Sequence, residues 1–278
     1  MECETSPESL AAQVNDLQQQ LVQTTAQLEK YATDLNRSWE RERERGQQLE
    51  ATYQQLQTYA RDLKVAYDAE KRKSDELEQA HYTSLLRLNR AMRYKDDESA
   101  SHIERLSYYA KAIALHLGLG EAQAQMISSA APMHDIGKIG IPDAILLKKG
   151  PLSAEEWEEM KKHPALGASL LKGTPSPLLE TAGKIALSHH ERWDGSGYPQ
   201  GLKGEAIPLP GRIIMIADQY DALRSPRPYK PAFTHERTYD IILNGDGRTL
   251  PQHFDPRLLE VFRDVHQQLA TIYDGLHD

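Results

Sequence analysis

Between Val14 and Leu77 apolar side chains return every seven residues. Val14, Leu21, Leu28, Leu35, Leu49, Leu56, Leu63 and Leu77 share one register, interrupted at Glu42 and Glu70. The second column of the heptad carries Ala32, Trp39, Tyr53, Ala60 and Tyr67, after polar Gln18 and Thr25. A seam of period seven flanked by Gln, Glu, Arg and Lys predicts a left-handed coiled coil. No proline falls between Glu8 and Ala131 to interrupt it. About 75 residues at about 1.5 Å each make a rod of about 110 Å, which cannot bury its own seam. A partner helix is required, and a homodimer through this coil, parallel by default, is expected. Gly46 occupies a core position beside the charged RERERG stretch (41–46), a predicted weak point of the seam.

Past residue 82 the period changes from seven to three and four. SLLRLNRAMRY leads into ESASHIERLSYYAKAIALHLGL, which Gly118 and Gly120 close. EAQAQMISSAAPMHDIGKIG, SAEEWEEMKKHPALGASLLKG, PLLETAGKIALSHHERWDG, GRIIMIADQYDALRS, THERTYDIILNG and DPRLLEVFRDVHQQLATIY follow. Several begin at a Ser, Thr, Asp or Pro cap or end at glycine. No run alternates as a strand should. The predicted organisation is all-α: a coiled-coil helix over 8–82, then a helical bundle over 83–278 large enough for its own core.

Charge narrows the partners. A formal net charge of -8 disfavours a nucleic-acid polymer, because an acidic surface repels phosphate. Cys3 is the sole cysteine, so no intrachain disulfide forms, which fits a reducing compartment. The start, MECETSPESLAAQ, does not read as a signal peptide. No apolar run approaches the roughly 20 residues of a membrane helix. Cytoplasmic localisation without membrane insertion is expected.

Within the helical half, SHHERWDGSGYPQG (188–201) sets two histidines side by side, about 100° apart around a helix, ahead of a glycine-rich loop. Other candidates for chemistry surround this pair in the sequence. Glu98 and His102 are four apart and share a helix face. His134 and Asp135 are adjacent in HDIGKIG, where a tight glycine turn lets both aim at one point. His163 stands near the end of the EEWEEMKKH helix, and Asp218 lies in the apolar run RIIMIADQYDAL, where a lone carboxylate is costly. Any single histidine here is more often a hydrogen-bonded structural residue than a ligand. Together, Glu98, His102, His134, Asp135, His163, His189, His190 and Asp218 form a nitrogen and oxygen donor set without cysteine. Eight donors exceed one tetrahedral ion. They suit two or three divalent metals with bridging carboxylate, an arrangement that hydrolyses phosphate esters. His81, His116, His235, His253, His266 and His277 lack such company.

The ordered segments ESASHIERL, HDIGKIGIPDAILLKKGPLS, His163, HHERWDGSGYPQGLKGEAIPL, IADQYDAL and SPRPYK resemble the HD-GYP domain, a branch of the HD phosphohydrolase superfamily, over residues 85–272. The resemblance implies an all-helical metal-dependent phosphodiesterase that hydrolyses cyclic di-GMP to pGpG and onward to GMP. It also implies two or three ions, commonly iron or manganese. By position the ligands become His102, His134, Asp135, His163, His189, His190 and Asp218, with Asp135 bridging and Glu98 matching the three-metal variety. One departure is local: threonine and glycine usually follow that glutamate, whereas Ser99, Ala100 and Ser101 follow Glu98.

Under this reading the reaction is in-line displacement at a ring phosphorus, with cations neutralising the phosphoryl oxygens. Lys138, one turn beyond Asp135, is the expected catalytic and phosphate-contacting cation; its ordinary role would be to cap a helix end. Arg227 and Lys230 are spaced to flank a second phosphate. Tyr198 offers a face for guanine and a hydroxyl, unless it only anchors the loop on Trp193. Asp194 and Asp221 match family positions and can equally hold loops. The competing expectations are a phosphodiesterase for another cyclic dinucleotide such as cyclic GMP-AMP, and a silent cyclic-dinucleotide receptor or coiled-coil scaffold. A sensor or signalling protein docking on the coil or the GYP loop completes the expected partners.

Overall fold

The structure, a computed structural model, describes residues 7–92, 100–173, 176–226 and 231–276. Among these the secondary structure is helical without a strand, as the period of the apolar positions predicts. The chain divides into two compact units, Met1–Asp75 and Glu76–Asp278.

Helix α1, Pro7–Met92, accounts for all the described residues of the first unit. It continues unbroken through Gly46. Leu28, Leu35, Leu49, Leu56 and Leu63 are each at least 59% exposed among the described residues, so within its own unit the heptad column is left unburied.

In the second unit the end of α1 brings Tyr82 and Leu85 against the core. Then come α2 (Ala100–His116), α3 (Glu121–Ala130), α4 (Asp143–Leu146), α5 (Ala154–Met160), α6 (His163–Leu170), α7 (Pro177–Ser188), α8 (Leu209–Arg224), α9 (His235–Asn244) and α10 (Pro256–Gly275). The core lies where α2, α7, α8 and α10 meet, around Tyr109, Ile113, Ile185, Ile213, Tyr220 and Phe262. Each such side chain contributes about 1.5–3 kcal/mol by leaving water. α10 shows the cause: Leu258, Phe262, Val265 and Leu269 repeat at three and four residues and all are buried.

Local signals set the ends. Ser153 and Glu156 form a reciprocal capping box at the start of α5, and Ser176 and Pro177 open α7. The run 153–173 differs from the single helix its pattern predicts. It breaks after Met160, and His163 begins α6 rather than ending the preceding helix. Pro164 supplies the reason: it lacks a backbone donor, suits the first turn of a helix and disfavours its interior.

Candidate metal centre

His134 and Asp135 follow a short 3-10 turn at Ala131–Met133, and a second turn runs over Ile136–Gly140. This second turn packs onto α6 backbone to backbone. A Cβ on Gly137 would lie 1.9 Å from the His163 carbonyl oxygen and 2.4 Å from the Gly167 nitrogen, so only glycine permits the approach. The turn thereby sets Asp135 against the first residue of α6. His189 is the residue at which α7 ends, and Asp218 faces inward from the middle of α8.

Seven predicted ligands converge from these elements. Asp135, His163, His189 and His190 bring donor atoms within 4.8 Å of one another, and His102, His134 and Asp218 do the same. Asp135 joins the groups. Its Oδ1 lies 3.1 Å from His163 Nε2 and 3.3 Å from His189 Nε2, while its Oδ2 lies 3.2 Å from His134 Nε2 and 2.8 Å from Lys138 Nζ. The Nε2 of His102 is 3.7 Å from Asp218 Oδ1. The tandem rings stay together just past the end of α7, 4.0 Å apart and in one donor group, with His189 buried beside His134 and His163 and His190 half-buried beneath Tyr198.

Backbone carbonyls orient the imidazoles. The Nδ1 of His134 bonds to Ala131 O, that of His163 to Met160 O, and that of His189 to Ile185 O and Ala186 O. A carbonyl only accepts, so Nδ1 carries the proton and Nε2 presents a lone pair inward. The Nε2 atoms of His163 and His189 and the Oδ1 of Asp135 are buried without a well-formed hydrogen bond. Such orphaned atoms are costly unless another group completes them. Neutral imidazoles and carboxylates are the donor set divalent transition metals take, so the residues present fit metal ions.

Electrostatics agree. Burial alone would raise the Asp135 carboxyl; the adjacent Lys138 ammonium is the largest opposing influence, and the group is held well below the usual carboxylate range. Burial pushes His189 and, further, His190 down, keeping them neutral. Lys138 is mostly buried against Asp135 rather than capping a helix in solvent.

The GYP loop closes over His190. Tyr198 stacks on the His190 ring at 4.7 Å and meets Trp157 edge-on at 5.9 Å, so its neighbours are a candidate ligand and an α5 aromatic, where the sequence offered Trp193 as an anchor. Trp193 instead lies under the Arg212 guanidinium and bonds through its backbone to His253 and Gly204. Asp194 accepts from both the amide and the hydroxyl of Ser196, holding the loop locally. Burial raises the Tyr198 phenol above its ordinary value, so it remains a neutral donor.

Glu98, Arg227 and Lys230 lie outside the described residues. Two residues, Glu191 and Arg105, escaped the sequence reading, which named Asp221 without its partners. Buried Glu191 accepts from the amides of Gln200 and Leu202 across the GYP loop. Buried Arg105 grips Asp221, and Asp221 accepts from His102 Nδ1 at 2.7 Å. A signal was present: Arg105 follows His102 by three residues, and Asp221 follows Asp218 by three, so each shares a helix face with a ligand.

Comparison with known proteins points the same way. The sequence pattern of the HD domain family matches residues 84–258. The cyclic di-GMP phosphodiesterase response regulator RpfG of Xanthomonas campestris pv. campestris is 46% identical over 189 residues, which cover 68% of this chain and 49% of that protein. A cyclic di-GMP phosphodiesterase of Vibrio cholerae is 44% identical over 203 residues, covering 68% and 40%. A 3'3'-cGAMP-specific phosphodiesterase 2 of the same organism is 40% identical over 191 residues, covering 69% and 36%. The chain spans half or less of the length of these relatives.

Proposed function

The chain belongs to the HD domain family, in its HD-GYP branch, and we propose that it is a metal-dependent phosphodiesterase that opens cyclic di-GMP to pGpG and carries it onward to GMP. One observation supports this most directly: five histidines and two aspartates from five separate segments converge into two adjoining donor groups joined by Asp135.

In this reading His102, His134, Asp135, His163, His189, His190 and Asp218 hold two divalent ions, iron or manganese, and Glu98 is the residue that a three-ion centre would add. When bound, such ions activate water and neutralise the phosphoryl oxygens of an in-line displacement. The protein's own groups do the rest. Asp135 presents one oxygen to each side of the centre. Lys138, held 2.8 Å from Asp135 Oδ2, supplies a point charge for a phosphoryl oxygen. Tyr198, neutral and stacked over His190, offers an aromatic surface and a hydroxyl to a guanine, with Arg227 and Lys230 taking the second phosphate. The burial of the centre keeps water few and the electrostatics strong.

The exposed heptad leucines of α1 support a homodimer through residues 8–82, leaving 83–278 as the phosphodiesterase domain. The coil or the GYP loop is the docking point for a sensor or signalling protein. Among the described residues no helix is long and apolar enough to cross a membrane; action in the cytoplasm is part of the proposal. A second reading, cyclic GMP-AMP as the substrate, is favoured by the 40% identical relative of that specificity.

Turnover assays with iron- or manganese-loaded protein decide between these. Cyclic di-GMP and 3'3'-cGAMP are supplied separately to the wild type and to Asp135→Ala. The expected result is faster hydrolysis of cyclic di-GMP by wild type and none by the variant. No turnover of either dinucleotide by fully metallated wild type leaves the silent receptor or scaffold.

A further inference from the structure

His134, His163 and His189 direct Nδ1 to carbonyls of their own segments, but His102 Nδ1 bonds to Oδ2 of Asp221, 119 residues away and buried. That carboxylate is itself fixed. Arg105 reaches both its oxygens, Nε to Oδ1 at 2.7 Å and Nη2 to Oδ2 at 2.8 Å. The remaining guanidinium bonds go to Ser101 Oγ at 2.7 Å, to Ser225 Oγ at 3.3 Å and to the Leu276 carbonyl at 2.9 Å, just beyond the end of α10. The Tyr273 ring on α10 meets both Arg105, at 4.7 Å, and Arg224, at 4.3 Å. Its hydroxyl donates to the Arg224 carbonyl at 2.7 Å.

We infer that Asp221, Arg105 and the C-terminal end of α10 form a positioning unit that sets the direction and basicity of His102 as a metal ligand. A buried ion pair is weak evidence for stability, because desolvation offsets its attraction. Its placement against a ligand gives it another role: a carboxylate behind an imidazole fixes the tautomer and strengthens Nε2 as a donor. Arg105 keeps that carboxylate charged and immobile. The Leu276 carbonyl and the Tyr273 ring make the terminal helix part of the device, so order at the end of α10 controls the His102, His134 and Asp218 group rather than the Asp135, His163, His189 and His190 group.

This inference rests on the metal-centre reading but not on turnover, so it is tested by metal binding alone. Mn2+ is titrated into the metal-stripped full chain, with affinity read by calorimetry and ion coupling by electron paramagnetic resonance. Wild type is expected to take up two coupled ions, one for each donor group. Asp221→Asn, nearly isosteric, is expected to keep one ion at wild-type affinity and to bind the other about 10–100-fold more weakly, giving the spectrum of an isolated ion. Arg105→Lys and deletion of Leu276–Asp278 are expected to act in the same direction. Leu269→Ala, a cavity in the same helix, lowers the Tm and leaves both affinities unchanged. Two coupled ions at wild-type affinity in Asp221→Asn overturn the proposal, as does an equal loss in Leu269→Ala.

Discussion

His163 Nε2 and Asp135 Oδ1 meet at 3.1 Å because Gly137 lets the HDIGKIG turn rest on the α6 backbone. The contact joins two motifs 28 residues apart into one centre, and its partners set what each change should do.

Asp135→Asn removes the charge shared by both donor groups while retaining the shape. Metal content should fall, and turnover should drop by more than the roughly 10–100-fold typical of residues behind the ligands. Metal analysis beside steady-state rates checks this; an enzyme that keeps its ions and its rate excludes Asp135 as the bridge.

Buried Glu191 accepts from two amides of the GYP loop, those of exposed Gln200 and half-buried Leu202. Glu191→Ala should destabilise by about 1–3 kcal/mol for each donor left unpaired, with Glu191→Gln recovering part of the loss. Urea unfolding of the metal-free protein measures it.

His235 is buried between Tyr220 and His266, bonded at 2.9 Å to each. Burial, and then the charge of His266, depress it below the usual 6.5. The unfolded chain therefore binds the proton more readily than the folded one. Stability from this site is complete above about pH 6.5 and is lost as pH falls toward the lower folded value. Thermal midpoints of the metal-free protein at pH 7.5 and 5.5 should differ less in His235→Gln than in wild type. An equal difference removes His235 as a source of acid sensitivity.

Gly46 stands in the seam of α1, in helical backbone with open space around its Cα. Gly46→Leu should tighten the proposed dimer, gaining about 1 kcal/mol per helix from propensity alone and more from the filled seam. Sedimentation equilibrium reports the dimer, and turnover of the same sample reports coupling. A tighter dimer with unchanged turnover shows that the coil does not relay to the site.

Much of this was legible before the fold. Periods of seven and of three to four follow from which face of a helix must leave water, so the long helix α1 and the helical bundle were readable from the spacing of apolar residues. The donor types were readable too, since HDIGKIG and HHERWDGSGYP carry their ligands in adjacent positions. The break before His163 was missed because the apolar pattern runs across it and only Pro164 marks a new first turn.

What the amino-acid order determined alone is therefore local: helix faces, caps, and the pairs His134–Asp135 and His189–His190. What the tertiary structure decided is how these meet. His102 finds Asp221 across 119 residues, Tyr198 lies on His190 and Trp157 rather than on Trp193, and α10 reaches Arg105 through a backbone carbonyl. The first and last of these arise from the packing of α2, α8 and α10 around a shared core, and the second from the GYP loop lying between α5 and the end of α7. Packing depends on volumes and crossing angles summed over the bundle, which no single stretch of sequence contains.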